Sequence, residues 1–181
     1  MTDKPTYKEL EKRVRELERA ESERKKTEEA LRESEEKYRS LFENVVEGIF
    51  QTTRDGRFLS ANPFLANLLG FVSPQELMES LTNIGEQHYA NPEDRVKFIK
   101  ILEAKGFARG FETCLLRKDG GKIWASLNAR AVKDDEGSVL YYEGTLMDIT
   151  DGLRAQAKIH QMAYYDSLTG LPNRKLLFDR L

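Results

Sequence analysis

The run Ser138-Val-Leu-Tyr-Tyr-Glu-Gly-Thr-Leu-Met-Asp-Ile-Thr150 decides how this chain is read. It is dense in β-branched, aromatic and aliphatic side chains, and Gly137 provides a turn before it, so a strand is expected. One face carries Val139, Tyr141, Thr145, Met147 and Ile149, and the other Leu140, Tyr142 and Leu146. Both are largely apolar, which predicts cover on both sides. The strand runs out into Asp148-Ile149-Thr150 and then Asp151. An oxygen there can accept from the free N–H groups of a following helix, so Thr150 or Asp151 is the expected cap. Asp148 shares the face of Tyr142 and Leu146, where a carboxylate needs a partner.

Two more strand-like runs precede this one, Phe111–Arg117 and Lys122–Val132. The connections Lys118-Asp-Gly-Gly121 and Lys133-Asp-Asp-Glu-Gly137 are turn sequences. Further upstream, Ile49–Thr53 and Arg57–Ala61 form a hairpin around Arg54-Asp-Gly56. Asn62-Pro63 opens a short helix burying Phe64, Leu65, Leu68 and Leu69, and Gly70 stops it. Ser73-Pro and Asn91-Pro open others by the same logic, the last with Val96, Ile99 and Leu102 inward before Gly106. The order is two strands, three or four short helices and three strands, an α+β domain.

The N-terminal part differs. Thr6-Tyr-Lys-Glu9 fits a capping box. No glycine or proline follows until Gly48, and 22 of the 32 residues from Lys8 to Arg39 are charged. Opposite charges four apart (Glu11/Arg15, Glu21/Lys25, Glu28/Arg32, Glu33/Lys37) support a helix. Tyr7, Leu10, Val14 and Leu17 form a three-four seam. It continues more weakly through Leu31, Tyr38 and Leu41. So polar a helix gains stability by pairing, so a parallel dimeric coiled coil is expected, its apolar end at Tyr38, Leu41, Phe42, Val45 and Val46 docking on the next domain.

The bulk properties exclude several functions. The net charge of −2 leaves no electrostatic footprint for nucleic acid or an acidic membrane. Cys114 is the one cysteine, so no intrachain disulfide forms. No apolar run approaches the roughly 20 residues a bilayer span needs, and the N-terminus carries no signal-peptide core. A cytoplasmic location is expected.

In combination, Lys37-Tyr-Arg-Ser-Leu-Phe42, Asp55-Gly56, Ala61-Asn62, Asn91-Pro-Glu-Asp-Arg95, the Lys-Asp-Gly-Gly turn and Asp148-Ile-Thr150 resemble a PAS sensor domain over about residues 38–150. The resemblance implies a five-stranded antiparallel sheet with short helices on one face, preceded by a long helix and followed by a signalling helix. Leu153–Tyr164 reads as that exit helix, with Leu153, Ala157, His160 and Tyr164 as a seam. The run Asp166-Ser-Leu-Thr-Gly-Leu-Pro-Asn-Arg174 is similar to the opening of a GGDEF diguanylate cyclase domain, carried by Asp166, Leu168, Thr169, Gly170, Leu171, Asn173 and Arg174. That family's metal and phosphate loop is not in the sequence. Of its substrate contacts, the resemblance maps only a guanine-binding asparagine, onto Asn173. The expected division is 1–37 coiled coil, 38–150 sensor, 151–165 exit helix and 166–181 the start of the output domain.

These resemblances imply a sensory and dimerisation module, a homodimer through its N-terminal and exit helices, passing a signal through Asp148-Ile149-Thr150 to a diguanylate cyclase. GTP would bind only in the output domain. The chain itself is not expected to be an enzyme. A stand-alone adaptor for a partner protein and a histidine-kinase sensor are the alternatives.

No cofactor is expected. The family's flavin-binding members use a cysteine on a middle helix, whereas Cys114 sits in a strand. A haem needs an axial ligand, commonly His, and His88 reads as a surface residue. His160 lacks the context of a phospho-acceptor, and Trp124 and Tyr142 read as packing residues. Asp55, Asp94 and Asp119 fall in turn or cap contexts, and no metal cluster is evident. The small residues in the alternation Ile123, Ala125, Leu127, Ala129, Ala131 leave room over the sheet, for a closely packed helix or an uncoloured small ligand.

Overall fold

The computed structural model describes residues 7–166, with Leu171 and Asn173. The chain divides into two units, residues 1–44 and 45–181.

The first unit is one helix, α1 (Tyr7–Asn44), which continues past residue 37 without a break. Two of the expected ion pairs form, Glu11–Arg15 at 3.6 Å and Glu21–Lys25 at 3.2 Å. Beside them stand Arg24–Glu28 and Arg32–Glu36. Tyr7, Leu10, Val14, Leu17, Leu31, Tyr38 and Leu41 are all exposed. The expected Thr6–Glu9 capping box lies outside the described residues.

The second unit carries β1 (Gly48–Thr52), β2 (Phe58–Ala61), α2 (Pro63–Leu68), α3 (Pro74–Ser80), α4 (Ile84–Gln87) and α5 (Pro92–Lys105). These are followed by β3 (Phe107–Leu116), β4 (Lys122–Lys133), β5 (Val139–Asp148) and α6 (Thr150–Tyr164). The strands form one sheet in the order β2-β1-β5-β4-β3, every pair antiparallel. The decisive strand, β5, therefore lies at the centre, between the first and the fourth.

Local chemistry sets the helix starts. Asn62, Ser73, Asn83 and Asn91 each accept a backbone N–H at the N-terminus of α2, α3, α4 and α5. Gly106 ends α5 at φ 79°, a left-handed conformation that glycine adopts without a Cβ penalty. Asp119 accepts the Gly121 N–H and Asp134 those of Glu136 and Ser138, so both tighten hairpin turns.

The core lies between the sheet and α2–α5. It buries Phe50, Leu65, Leu69, Phe98, Tyr142 and Leu146, among others. Two expectations of burial are corrected. Helix α5 turns Arg95, Phe98 and Leu102 inward, and Val96 is 53% exposed. The i, i+3, i+7 stripe that includes an arginine wins, because it buries the Phe98 ring. The second face of β5 is only partly covered: Tyr141 and Thr145 are half-buried, and Met147 is exposed, as is Trp124 on β4. The sheet covers itself with helices on one side only, so alternate residues face outward.

Candidate functional site

Two places in the second unit could carry function: a cavity in the core and the junction after β5.

The cavity has a volume of about 30 Å³ and lies between the sheet and the helices. Its apolar wall includes Phe50, Phe58, Leu65, Phe98, Leu127 and Leu146, and its polar lining is Thr52, His88, Tyr89 and Arg95. Space of this size holds two or three waters at roughly 10–15 Å³ each. Of Ile123, Ala125, Leu127 and Ala129, all four are buried, and Leu127 is the one that lines the cavity. Ala125 and Ala129 on β4 are buried outside the cavity lining, and the space that remains is lined in part by Phe50 and Thr52 of β1 and by Arg95 and Phe98 of α5.

His88 is the clearest correction at this site. It is buried, not a surface residue, with Nδ1 2.9 Å from the Leu116 carbonyl oxygen. A carbonyl only accepts, so Nδ1 carries the proton and donates. Burial first, and the positive charge of Arg95 after it, lower the imidazole to about 4, against the hydrogen bond to Leu116. His88 is therefore neutral near pH 7. The unfolded chain, titrating near 6.5, binds the extra proton first on acidification. Stability is fully present above pH 6.5 and falls as pH drops toward 4. The expected loss is on the order of 1 kcal/mol by pH 5.5. Urea unfolding at pH 7.5 and 5.5 measures it, and in His88→Gln this difference should shrink to near zero.

Arg95 and Thr52 are cavity residues that no motif in the sequence marks as such. Arg95 is 8% and Thr52 3% exposed, and Nη2 of the first and Oγ1 of the second have no hydrogen-bond partner. The signal for Arg95 was its position three before Phe98 and seven before Leu102, on one helical face.

The junction is built from backbone reach between β4 and β5. Ile149 N–H donates to the Trp124 carbonyl at 2.8 Å, and Trp124 N–H donates to Thr150 Oγ1 at 2.9 Å. Asp148 Oδ1 accepts the Thr150 N–H at 2.8 Å. The expectation that Thr150 or Asp151 caps α6 is corrected: Ile149 holds the cap position, with no side-chain cap bond. Thr150 is drawn sideways to β4, and Asp148 serves the first N–H of the helix from one residue earlier. The Asp148 carboxylate is exposed, not buried in an apolar stripe, because β5 has reached the domain edge.

Helix α6 ends where the opening motif of the expected output domain begins. Asn173 donates from Nδ2 to the Ala163 carbonyl and from its backbone N–H to that of Tyr164, both at 2.8 Å. Asp166 N–H donates to the Leu171 carbonyl. Leu168, Thr169, Gly170 and Arg174 lie outside the described residues. Among the described residues, no group of three His, Cys, Asp or Glu is placed to hold a metal ion. None of the described helices is long and apolar enough to cross a membrane. Cys114 lies on β3, half-buried.

Residues 46–151 match the family described as PAS domain. A sensor histidine kinase, TmoS, of Ectopseudomonas mendocina is 28% identical over 131 residues, covering 70% of this chain and 13% of that protein. An uncharacterized protein, y4lL, of Sinorhizobium fredii is 39% identical over 77 residues, covering 37% of this chain and 9% of that one. The chain thus matches only about a tenth of the length of these curated relatives. Among solved structures, the PAS domain of a protein from Colwellia psychrerythraea superposes with a TM-score of 0.55 at 20% identity, covering 64% of this chain and 97% of that one. The PAS domain of an HTR-like protein from Haloarcula marismortui superposes with a TM-score of 0.52 at 22% identity, covering 69% and 99%. At such identities these two speak to the fold alone.

Proposed function

As the chain belongs to the PAS domain family, we propose that it is the sensory and dimerising segment of a cytoplasmic signalling protein whose output is a diguanylate cyclase, forming cyclic di-GMP from two GTP. The observation that carries this reading is the run Asp166–Arg174, directly after α6. Cyclisation joins two GTP molecules held by two facing domains, so pairing of α1 and α6 between two copies would set the rate by positioning. The exposed seam of α1 supports that pairing. Light scattering of the intact chain at tens of micromolar should then give about twice its 20.9 kDa mass, and a monomer would refute the dimer.

The junction supports a coupling role. Side chains of Asp148 and Thr150 make two of the three hydrogen bonds that tie the start of α6 to the sheet, and the Ile149 backbone makes the third, so a shift of β4 against β5 redirects the helix. Asp148→Ala with Thr150→Ala in the longer cyclase is expected to change basal or signal-dependent output about fivefold or more, the scale of an ordinary coupling energy, while the domain stays folded. Unchanged output and response would remove the coupling role. A histidine-kinase output is the second reading, favoured by the likeness to TmoS. Cyclic di-GMP formation by the protein that carries this chain separates the two.

A further inference from the structure

The core holds an arginine that its own surroundings answer only in part, through a hydrogen bond with the Tyr89 side chain. Arg95 is 8% exposed, and among the described residues no carboxylate forms an ion pair with it. Its neighbour Asp94 is taken by Lys97 at 3.0 Å and by the Thr113 hydroxyl at 3.2 Å. Nη2 of Arg95 is buried without a hydrogen-bond partner, and so is Oγ1 of Thr52. Both residues line the same cavity, whose remaining wall is mostly apolar. A buried cation without a counter-charge is costly, and a buried donor without an acceptor adds to the cost. A guanidinium and a hydroxyl together are a set of donors suited to a carboxylate. The space holds two or three waters, so the guest must be small, and an acid of two or three carbons, being larger than those waters, displaces them and parts α5 from the sheet. A dicarboxylate would be larger and bring a second charge, and Arg95 is the one lysine or arginine in the cavity lining.

We propose that this cavity binds a short aliphatic monocarboxylate, its head on Arg95 and Thr52 and its alkyl end toward Leu65, Leu127 and Leu146. The proposal deepens the sensory reading by naming what the domain senses, and it rests on that reading only for its purpose. A bound acid would neutralise Arg95, which sits on α5, and would fill the space between that helix and the strands leading to the junction.

Propionate is the probe, added to the intact 181-residue chain at neutral pH against matched sodium chloride, with propionamide and propanol as neutral isosteres. Propionate should raise Tm in a concentration-dependent way, as any ligand of the folded state does, and the isosteres should not. Isotope-filtered NOEs should connect the propionate methyl to the methyls of Leu65, Leu127 or Leu146. Arg95→Met should weaken binding about tenfold or more, and Thr52→Val by less. If Arg95→Met does not fold, the NOEs on the unaltered chain and the Thr52→Val titration decide. No NOE at millimolar propionate, or equal binding of propionamide, or unaltered affinity in the folded variants, overturns the proposal and leaves water or a neutral guest in the cavity. The readouts are independent of cyclase activity, so a failure here leaves the output assignment untouched.

Discussion

Replacing Gly144 by alanine is expected to destabilise the domain by about 3 kcal/mol or more. Gly144 sits mid-way along β5, opposite Phe50 on one side and Ala129 on the other. A Cβ built there would lie 2.1 Å from the Asn128 carbonyl oxygen and 2.7 Å from the Ala129 Cβ. The first contact is with backbone, which no rotamer change can relieve. The strands must part at the point where the sheet is paired on both sides, so ladder hydrogen bonds are lost with the packing. For a domain of this size the same loss lowers Tm by more than about 10 °C. Urea unfolding followed by circular dichroism measures it. A loss under about 1 kcal/mol would mean that the sheet yields at Gly144 far more readily than a paired central strand should.

Asn62→Ala is expected to cost about 3 kcal/mol, well beyond the ordinary 1 kcal/mol of a helix cap. The Asn62 side chain is fully buried. Its Oδ1 accepts the Leu65 N–H, which starts α2, and also the Ile49 N–H of β1, both at 3.0 Å. Its Nδ2 donates to the Glu47 carbonyl at 2.9 Å. One side chain thus serves three backbone groups on two elements, and truncation deprives them of it together. Asn62→Asp separates this role from capping. Aspartate is as good a cap as asparagine, but here it would lose the donor and face the Glu47 carbonyl with a buried negative oxygen. Chemical denaturation of both variants is the measurement. Asparate at full stability would reduce Asn62 to a cap.

Both residues show where local chemistry ends. Asn62-Pro63, Ser73-Pro74 and Asn91-Pro92 announce helix starts because an oxygen next to a φ-restricted residue satisfies free N–H groups wherever it stands. The turns at Gly56, Gly120 and Gly137, each at positive φ, were legible for a similar reason. The alternation along β4 marked its buried side, because the strand period is two whatever packs on it. The long polar helix α1 followed from i, i+4 charge pairs and the absence of glycine and proline.

Partners distant in the chain decided the rest. His88 looked like a surface residue until β3 was placed beside it and Leu116 provided its acceptor 28 positions away. Trp124 looked like a packing residue, but it lies on the outward side of β4, and its backbone, not its ring, ties down the junction. Thr150 has the chemistry of a cap and is used instead by a strand 26 positions earlier. Arg95 was hidden by its charge, since a charged residue is assigned to solvent unless the fold shows that its helical face is the buried one. By itself the sequence determined the order of elements, their caps and turns and the family they build, because those depend on residues within a turn or two of each other. The tertiary structure alone decided the strand order, the buried polar groups of the cavity and the hydrogen bonds of the junction, because each needs a partner that only folding brings within about 3 Å.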